Sequence, residues 1–238
     1  MDYRDLDRAV ARGGGYASLA FPALMRKVYV WMSLALVITG VAAYGVAGTP
    51  ALLSLIFGNR MVFFGLIIAE LALVWGVSAA IGRLSLSAAT LLFILYSVVN
   101  GVTLSAIFVA YTAASVAKVF FITAGTFGVM ALYGYTTKRD LSSVGKIAFM
   151  ALVGIIIATV VNMFVKSAGI DLAVSYIGVL VFVGLTAWDT QKIKAMLAAA
   201  PDGGEAAQKT ALIGALTLYL DFINLFIFLL RILGGRRD

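Results

Sequence analysis

The sequence predicts an all-α membrane protein with seven transmembrane helices. Hydrophobic residues make up 63% of the 238 residues and charged residues only 12%, whereas roughly a quarter of the residues of a soluble domain are charged. Apolar runs of about 20 residues, long enough to cross a bilayer core as a helix, recur along almost the whole chain. Basic residues stand mainly between these runs. Together these observations exclude a soluble globular domain.

The apolar runs are separated by charged residues or by Gly and Pro, which interrupt regular structure. They occupy residues 28–47, 61–81, 84–108, 113–135, 145–165, 172–191 and 210–231. We therefore predict a tail over residues 1–25, one seven-helix membrane domain over residues 26–233 and a short basic tail over residues 234–238. The first tail is charged and lacks the early apolar region of a signal peptide.

The distribution of basic residues predicts a cytoplasmic N-terminus. With all seven runs spanning, only six of the 18 Lys and Arg residues lie outside, namely Arg60, Lys118, Lys166, Arg231, Arg236 and Arg237. Cytoplasmic loops of membrane proteins are enriched in Lys and Arg, which favours this orientation. A re-entrant seventh segment would return the last three of these residues to the cytoplasm. A segment of about 21 residues is nevertheless long enough to cross, so we favour seven full spans.

Small residues spaced four apart predict close helix contacts, because lipid provides no hydrophobic incentive for helices to associate. The candidates are Ser97, Gly101 and Ser105 in the third run, Ala124 and Gly128 in the fourth, and Gly154 and Ala158 in the fifth. Between the sixth and seventh runs, residues 192–209 are expected to form a long loop around Pro201-Asp202-Gly203-Gly204.

The composition also limits the chemistry. Without Cys or His there is no disulfide, thiolate nucleophile, imidazole base or histidine pH switch. No metalloprotease, phosphate-loop or dinucleotide motif is present, so we expect no enzymatic activity and no resident cofactor. The excess of basic over acidic residues stands in short loops, and we expect no nucleic-acid partner. Proton-linked or cation-linked chemistry would have to use carboxylates.

Three acids fall within or at the edge of the apolar runs: Glu70, Asp189 and Asp221. An ionised side chain at the bilayer centre costs several kcal/mol unless it is protonated or partnered. At the helical rise per residue, Asp189 lies about 27 Å from Asp171 at the outer end of its run, and Asp221 about 18 Å from Lys209 at the inner end. The two aspartates are therefore predicted to share the inner half of the bundle, where they could come within hydrogen-bonding reach.

Polar neighbours indicate that these aspartates face protein or water rather than lipid. Thr217, Asp221 and Asn224 follow the i, i+4, i+7 spacing of one helical face, and Thr186 with Asp189 forms a shorter stripe. Two adjacent carboxyls cannot readily both ionise at low dielectric, so the pair would share a proton and sense pH. Their oxygens would also suit Ca²⁺. The alternative is that the buried acids only hold helices together through hydrogen bonds.

Arg83, at the inner end of the second run, is the basic residue nearest to the aspartates in predicted depth. Its guanidinium could pair with a carboxylate and latch a closed state, which a proton or a competing cation would release. It could equally be a snorkelling anchor at the membrane surface. Glu70, near the middle of the same run, is a candidate third acid of an ion pathway, with a purely structural role as the alternative.

Three segments resemble one protein family. Leu218–Phe226, with the sequence LYLDFINLF, resembles the signature of the Bax inhibitor-1 family, the transmembrane Bax inhibitor motif proteins. Gly184–Gln191 is similar to the sixth-helix motif of that family, with Trp188 in place of the more usual Tyr. Tyr135–Ser142 is similar to the loop between the family's fourth and fifth helices. The resemblance extends over about residues 20–235.

The resemblance implies a bundle whose central seventh helix is wrapped by two groups of three helices. It also implies a pH-sensitive calcium leak, with calcium as the transported or bound ion. In this family pattern Asp189 and Asp221 match the paired aspartates, and Arg83 matches the latch arginine. The tail carries no retention or lipidation signal, and we expect a bacterial inner membrane protein with a cytoplasmic N-terminus.

Two other functions remain open. Bacterial proteins of this kind also resemble regulators that bind and restrain a membrane-anchored quality-control protease, and the tail Met1–Gly15 would then be the binding segment. Proton-coupled transport of a small solute would use the same acids but would require a substrate cavity and alternating access.

Overall fold

The computed structural model describes residues 17–200, 203–235 and 237, and within these residues it contains helices and no strand. The helices are α1 (Ala17–Ala47), α2 (Pro50–Gly58), α3 (Arg60–Ala80), α4 (Leu86–Leu104), α5 (Ala106–Ala110), α6 (Ala113–Thr136), α7 (Ser142–Val165), α8 (Ala168–Ala198) and α9 (Glu205–Leu233). Seven of the described segments are long and apolar enough to span a membrane, with α4 and α5 together forming one of them. The predicted all-α membrane class is confirmed.

Short polar side chains begin several of these helices. Asn59, Ser85, Thr112 and Ser167 precede α3, α4, α6 and α8, and the side-chain oxygen of each accepts a hydrogen bond from a backbone N–H of the first turn. Such caps satisfy donors that have no partner within the helix. At the other end of α7, Lys166 takes the left-handed conformation that closes a helix, with φ of 53°. These residues set the short connections between spans.

The segment between the last two spans corrects the sequence interpretation. The long loop predicted over residues 192–209 is mostly helical, because α8 continues to Ala198 and α9 begins at Glu205. The charged residues there do not end the helices, since Lys, Ala, Met and Leu all favour helix and the helices simply extend past their apolar parts. Two further differences are the start of α1 at Ala17, ahead of the predicted boundary at residue 26, and the short helix α2.

Helix α9 is the most buried of the spans. Of its apolar window 67% is buried, against 6–33% for the others. It packs against α1, α4, α6 and α8. The main packing of α3 is on α4, and that of α7 is on α8, so both lie at the outside of the bundle. The wrapping of α9 by all six other spans in two groups of three stays a prediction.

Helix α9 runs the whole length of the bundle. At its start, the Glu205 carboxylate accepts a hydrogen bond from Leu86 N at 3.1 Å. Just beyond its end, Gly235 N donates to Ser115 Oγ at 2.7 Å. Since α4 and α5 cross the bundle between Leu86 and Ala110, these two contacts lie at opposite ends. The seventh segment is therefore a full span rather than a re-entrant one.

The predicted small-residue contacts occur in part. Gly101 lies directly against α1, where an added Cβ would collide with the backbone at Thr39. Around Gly128 and Gly154, by contrast, an added Cβ would meet nothing within 4 Å. The predicted close approach is therefore absent at these two glycines, whereas their predicted partners Ala124 and Ala158 do pack against the core.

Candidate functional site

Asp189 and Asp221 lie on adjacent, packed helices, α8 and α9. Only 8% of Asp189 and 5% of Asp221 is exposed, and the two carboxyls are near enough to interact electrostatically. Among the described residues neither aspartate takes part in an ion pair. The structure thus brings together the two acids that the sequence singled out, in a buried site without a compensating salt bridge.

One oxygen of this pair is fully buried and has no hydrogen-bond partner. Asp221 Oδ2 is buried and makes no hydrogen bond, and the same is true of the hydroxyl of Thr190, which follows Asp189 in α8. A buried polar atom left unpaired costs about 1–3 kcal/mol, and more for a charged group. Such exceptions are rare in native structures and indicate strain, an unseen water or ion, or a functional role. The unsatisfied polar atoms of the site are therefore on Asp221 and Thr190.

Two glycines position the α8 segment that carries Asp189. Gly134 of α6 lies against the backbone of Ala187, and Gly145 of α7 lies against the indole ring of Trp188. A Cβ at either glycine would collide with these atoms. Because only glycine permits such close approach, α6 and α7 hold α8 from two sides just before Asp189.

The part of α8 that follows Asp189 is held by the end of α6 and by the loop between α6 and α7. Gln191 Oε1 accepts a hydrogen bond from Leu141 N at 2.9 Å, and Gln191 Nε2 donates to the Arg139 carbonyl at 2.8 Å. Lys194 Nζ donates to the Tyr135 carbonyl at 2.8 Å. The segments 135–142 and 184–191, which are far apart in sequence, therefore form one unit around Asp189.

A single cation comes near the pair from α8 itself. Lys192 is close enough to Asp189 to interact electrostatically, while its ammonium group lies 4.9 Å from the centre of the Trp188 ring. Lys192 is exposed, so its attraction for the buried carboxyl is weakened by solvent. The acid pair is therefore neighboured by a cation that does not neutralise it.

The other predicted polar residues share this region but bond elsewhere. Three of them donate to carbonyls one turn back in their own helices: Thr186 to Phe182, Thr217 to Ile213 and Asn224 to Leu220, at 2.7, 3.0 and 2.8 Å. They line the two helices without hydrogen bonds to either aspartate. Their contribution to the site is polarity rather than direct support of the carboxyls.

The structure does not bring Arg83 or Glu70 to the aspartates. Arg83 is exposed in the turn between α3 and α4, and within the described residues its side chain forms no ion pair or hydrogen bond. Glu70 of α3 is half-buried beside Asn100 and Thr103 of α4, and its Oε1 is buried without a hydrogen-bond partner. The predicted latch is therefore not engaged in this conformation.

Sequence inspection missed a second polar group, on the opposite side of α9. The hydroxyls of Tyr219 and Thr39 are 2.6 Å apart, and Tyr219 donates to Asn100 Oδ1 at 3.0 Å. The Ser97 carbonyl, 2.9 Å from Thr39 Oγ1, is a second acceptor within reach of the single Thr39 hydroxyl proton. The available signal was the isolated Thr and Asn in apolar runs, together with Tyr219 two residues before Asp221.

The acid pair offers few ligands to a metal ion. Within the described residues no group of three or more Asp or Glu side chains could hold a metal. Ca²⁺ usually takes 6–8 oxygen ligands, so Asp189 and Asp221 would need waters, hydroxyls or backbone carbonyls to complete a shell. The two carboxyls by themselves therefore do not make up a calcium coordination shell.

Comparisons with known proteins agree with the motifs. The family described as "Inhibitor of apoptosis-promoting Bax1" matches residues 22–238. Inner membrane protein YbhL of Escherichia coli (strain K12) is 54% identical over 215 residues, which are 90% of this chain and 92% of YbhL. Uncharacterised proteins of Borreliella burgdorferi and Rickettsia prowazekii are 46% and 47% identical, over 90% of this chain and 92% and 90% of their own lengths. This multi-pass membrane protein therefore belongs to the Bax inhibitor-1 family.

Proposed function

We propose that this protein is a pH-sensitive, calcium-permeable leak channel gated by the Asp189–Asp221 pair. It would lie in a bacterial inner membrane with its N-terminus in the cytoplasm. The observation that carries the proposal is the burial of two interacting carboxyls between α8 and α9, with Asp221 Oδ2 unpaired. A pair with a purely structural role would be expected to satisfy its oxygens.

Proton exchange supplies the gating step. With one shared proton the pair carries a single negative charge, and the two carboxyls can remain close. When that proton leaves, two negative charges face each other where the effective dielectric constant is low, so their repulsion is far stronger than in water. A change in the spacing of α8 and α9, or the entry of a cation, relieves the repulsion.

The ligand chemistry favours a divalent cation such as calcium. Two carboxylates attract a hard cation through oxygen ligands. The absence of a third acid at the pair, among the described residues, keeps the site from binding it tightly. Conduction requires binding that is favourable enough for entry but weak enough for release.

Arg83 would stabilise a different conformation of the gate. Its guanidinium could reach a deprotonated aspartate only after the α3–α4 turn moves, since no ion pair joins them here. The bond between Leu86 N and Glu205, at 3.1 Å, holds that turn at the start of α9. The latch is thus proposed as a feature of a second conformation.

Calcium flux into proteoliposomes between pH 5 and pH 8 tests the proposal. The native chain is compared with Asp189→Asn and Asp221→Asn, which keep side-chain size but cannot exchange the proton. Thr126→Val is the matched control, because Thr126 is on α6, outside the polar stripes of the pair, and bonds only to its own helix. We expect a pH-dependent flux in the native chain and the control that loses its pH response in both Asn variants.

Two outcomes would reject this function. One is flux no greater than that of empty liposomes at every pH, and the other is an unchanged pH response in both Asn variants. The first would favour restraint of a membrane-anchored protease. Its predicted binding segment, residues 1–15, lies outside the described residues, and deletion of that segment should then abolish co-purification of the protease.

A further inference from the structure

An apolar groove of about 260 Å³ lies between α1 and α6. These two helices both pack on α9 but make little contact with each other. The walls and floor of the groove include Gly40 and Ala43 of α1, Ala117 and Phe121 of α6, and Phe222 and Phe226 of α9. The groove is therefore a gap in the outer layer of the bundle, with the central aromatic residues of α9 at its base.

The groove opens toward the lipid. Its lining runs from Leu36 to Ala43 on α1 and from Ala113 to Phe121 on α6, which is about 10–12 Å along each helix. Phe121 is 72% exposed at its edge. In a membrane-spanning chain, the open side of the groove faces the hydrocarbon of the bilayer. Water has too few polar partners in such a site, so a hydrocarbon chain is the occupant that the lining fits.

Basic side chains stand at the end of the groove near the chain's C-terminal residues. Arg237 Nη1 donates to the carbonyl of Phe108 at 3.1 Å, and Phe108 itself lines the groove. Lys118, next to the groove residue Ala117, is exposed and has no hydrogen bond or ion pair within the described chain.

The local charge at this end is positive. Lys118 and Arg237 are the described basic residues there, and neither forms an ion pair with a described acid. Arg231, by contrast, is paired with Asp171 at 3.4 Å. A guanidinium and an ammonium are the side chains that recognise phosphate, so the charge complements an anionic headgroup above an acyl chain.

We propose that the groove between α1 and α6 binds an anionic phospholipid, with one acyl chain against Phe222 and Phe226 and the phosphate at Arg237 and Lys118. The lipid comes from the leaflet that contains the C-terminal residues. This site is separate from the acid pair and does not depend on the proposed leak function.

Groove filling gives the first test. The native chain is purified from bilayers with equal phosphatidylglycerol and phosphatidylcholine, and retained lipid is counted by native mass spectrometry. Gly40→Leu should fill the groove without strain, since an added Cβ there meets nothing within 4 Å. Gly45→Leu is the control, because Gly45 is on the same helix, is equally open and does not line the groove.

The native chain and Gly45→Leu should retain phosphatidylglycerol. Gly40→Leu should retain about tenfold less, because the added side chain occupies space that the acyl chain would fill; tenfold corresponds to about 1.4 kcal/mol. Equal retention in Gly40→Leu and Gly45→Leu would overturn the proposal. The proposal would also be overturned if the native chain formed a dimer and Gly40→Leu dissociated it. The occupant of the groove would then be a second copy of the chain.

Charge removal gives the second test. Lys118→Gln combined with Arg237→Gln should abolish the preference for phosphatidylglycerol over phosphatidylcholine while the groove still binds an acyl chain. Lys166→Gln, at the turn between α7 and α8 and outside the groove lining, should leave the preference intact. If the native chain showed no preference for phosphatidylglycerol over phosphatidylcholine, the assignment of an anionic headgroup would be overturned.

Discussion

The two buried polar groups on opposite sides of α9 differ in how well they are satisfied. On one side, the hydroxyl of the fully buried Tyr219 lies within hydrogen-bonding distance of Thr39 and Asn100, at 2.6 and 3.0 Å. On the other side, Asp221 is nearly as buried but leaves Oδ2 without a partner beside a second acid. One helix therefore carries a tyrosine hydroxyl with hydrogen-bond partners and a carboxyl oxygen without one, two residues apart.

This contrast shows that buried polar side chains can have two different roles inside a membrane bundle. A satisfied network fixes the rotation and spacing of helices, because each partner would lose its hydrogen bond if a helix moved. An unsatisfied acid is costly in the resting conformation and gains from a proton, a cation or a rearrangement. We therefore propose that the Tyr219 side is structural and the Asp221 side functional.

The largest effect is expected where α1 and α4 touch beside the Tyr219 network. Gly101→Leu would force the α1 backbone at Thr39 away, at a cost of about 3 kcal/mol or more for an overpacked contact. Gly128→Leu, where an added Cβ meets nothing, should change stability by only about 0.5 kcal/mol. Unfolding in detergent can be followed through the fluorescence of the three Trp residues. Equal stability of the two variants would contradict the close approach.

Tyr219→Phe should have the next largest effect on stability. It removes the hydroxyl that serves Thr39 and Asn100, at a cost of about 1–2 kcal/mol. The pH response of calcium flux should remain, because the acid pair is untouched. Loss of that response in a folded Tyr219→Phe protein would show that the two sides of α9 are not separable.

Asp221→Asn should give the opposite pattern. The neutral amide removes the charge from a site with an unpaired oxygen, so stability at neutral pH should be unchanged or higher by about 1 kcal/mol. The pH response of flux should be absent. An Asn variant that is clearly less stable than the native chain would indicate that the carboxylate holds the helices together, as the structural alternative requires.

Arg83→Ala should have the smallest effect on stability, within about 0.5 kcal/mol, because Arg83 is exposed and unpaired within the described residues. If the proposed latch forms in a second conformation, calcium leak at high pH should rise. Measurement of flux at pH 8 in Arg83→Ala and in Lys138→Ala, another exposed basic residue, separates a latch from a general loss of positive charge.

The helices and the acid pair were predictable because their signals are local. Apolar runs locate the spans, and Asp221 stands out in an apolar run with Thr217 and Asn224 on one face. The ends of α8 and α9 were not predictable from hydropathy, since a helix continues into water when its residues favour it.

The sequence also did not predict which distant helices contact each other. The contacts of Gly134 with Ala187 and of Gly145 with Trp188 depend on which faces meet, and helical periodicity does not specify the partner. Tyr219 was read as part of a motif, and its bonds to Thr39 and Asn100 require the packing of α9 against α1 and α4. The exposed position of Arg83 likewise depends on the turn that carries it.

The attachments of α9 at both ends decide which part of the bundle can move. Leu86 holds Glu205 at one end, Ser115 holds Gly235 at the other, and Tyr219 resists rotation between them. Helix α9 therefore cannot slide or rotate without breaking these hydrogen bonds. In the proposed leak function, helix α8, which contributes Asp189 and is bonded to the α6–α7 loop, would therefore have to move together with that loop to open a path beside Asp221.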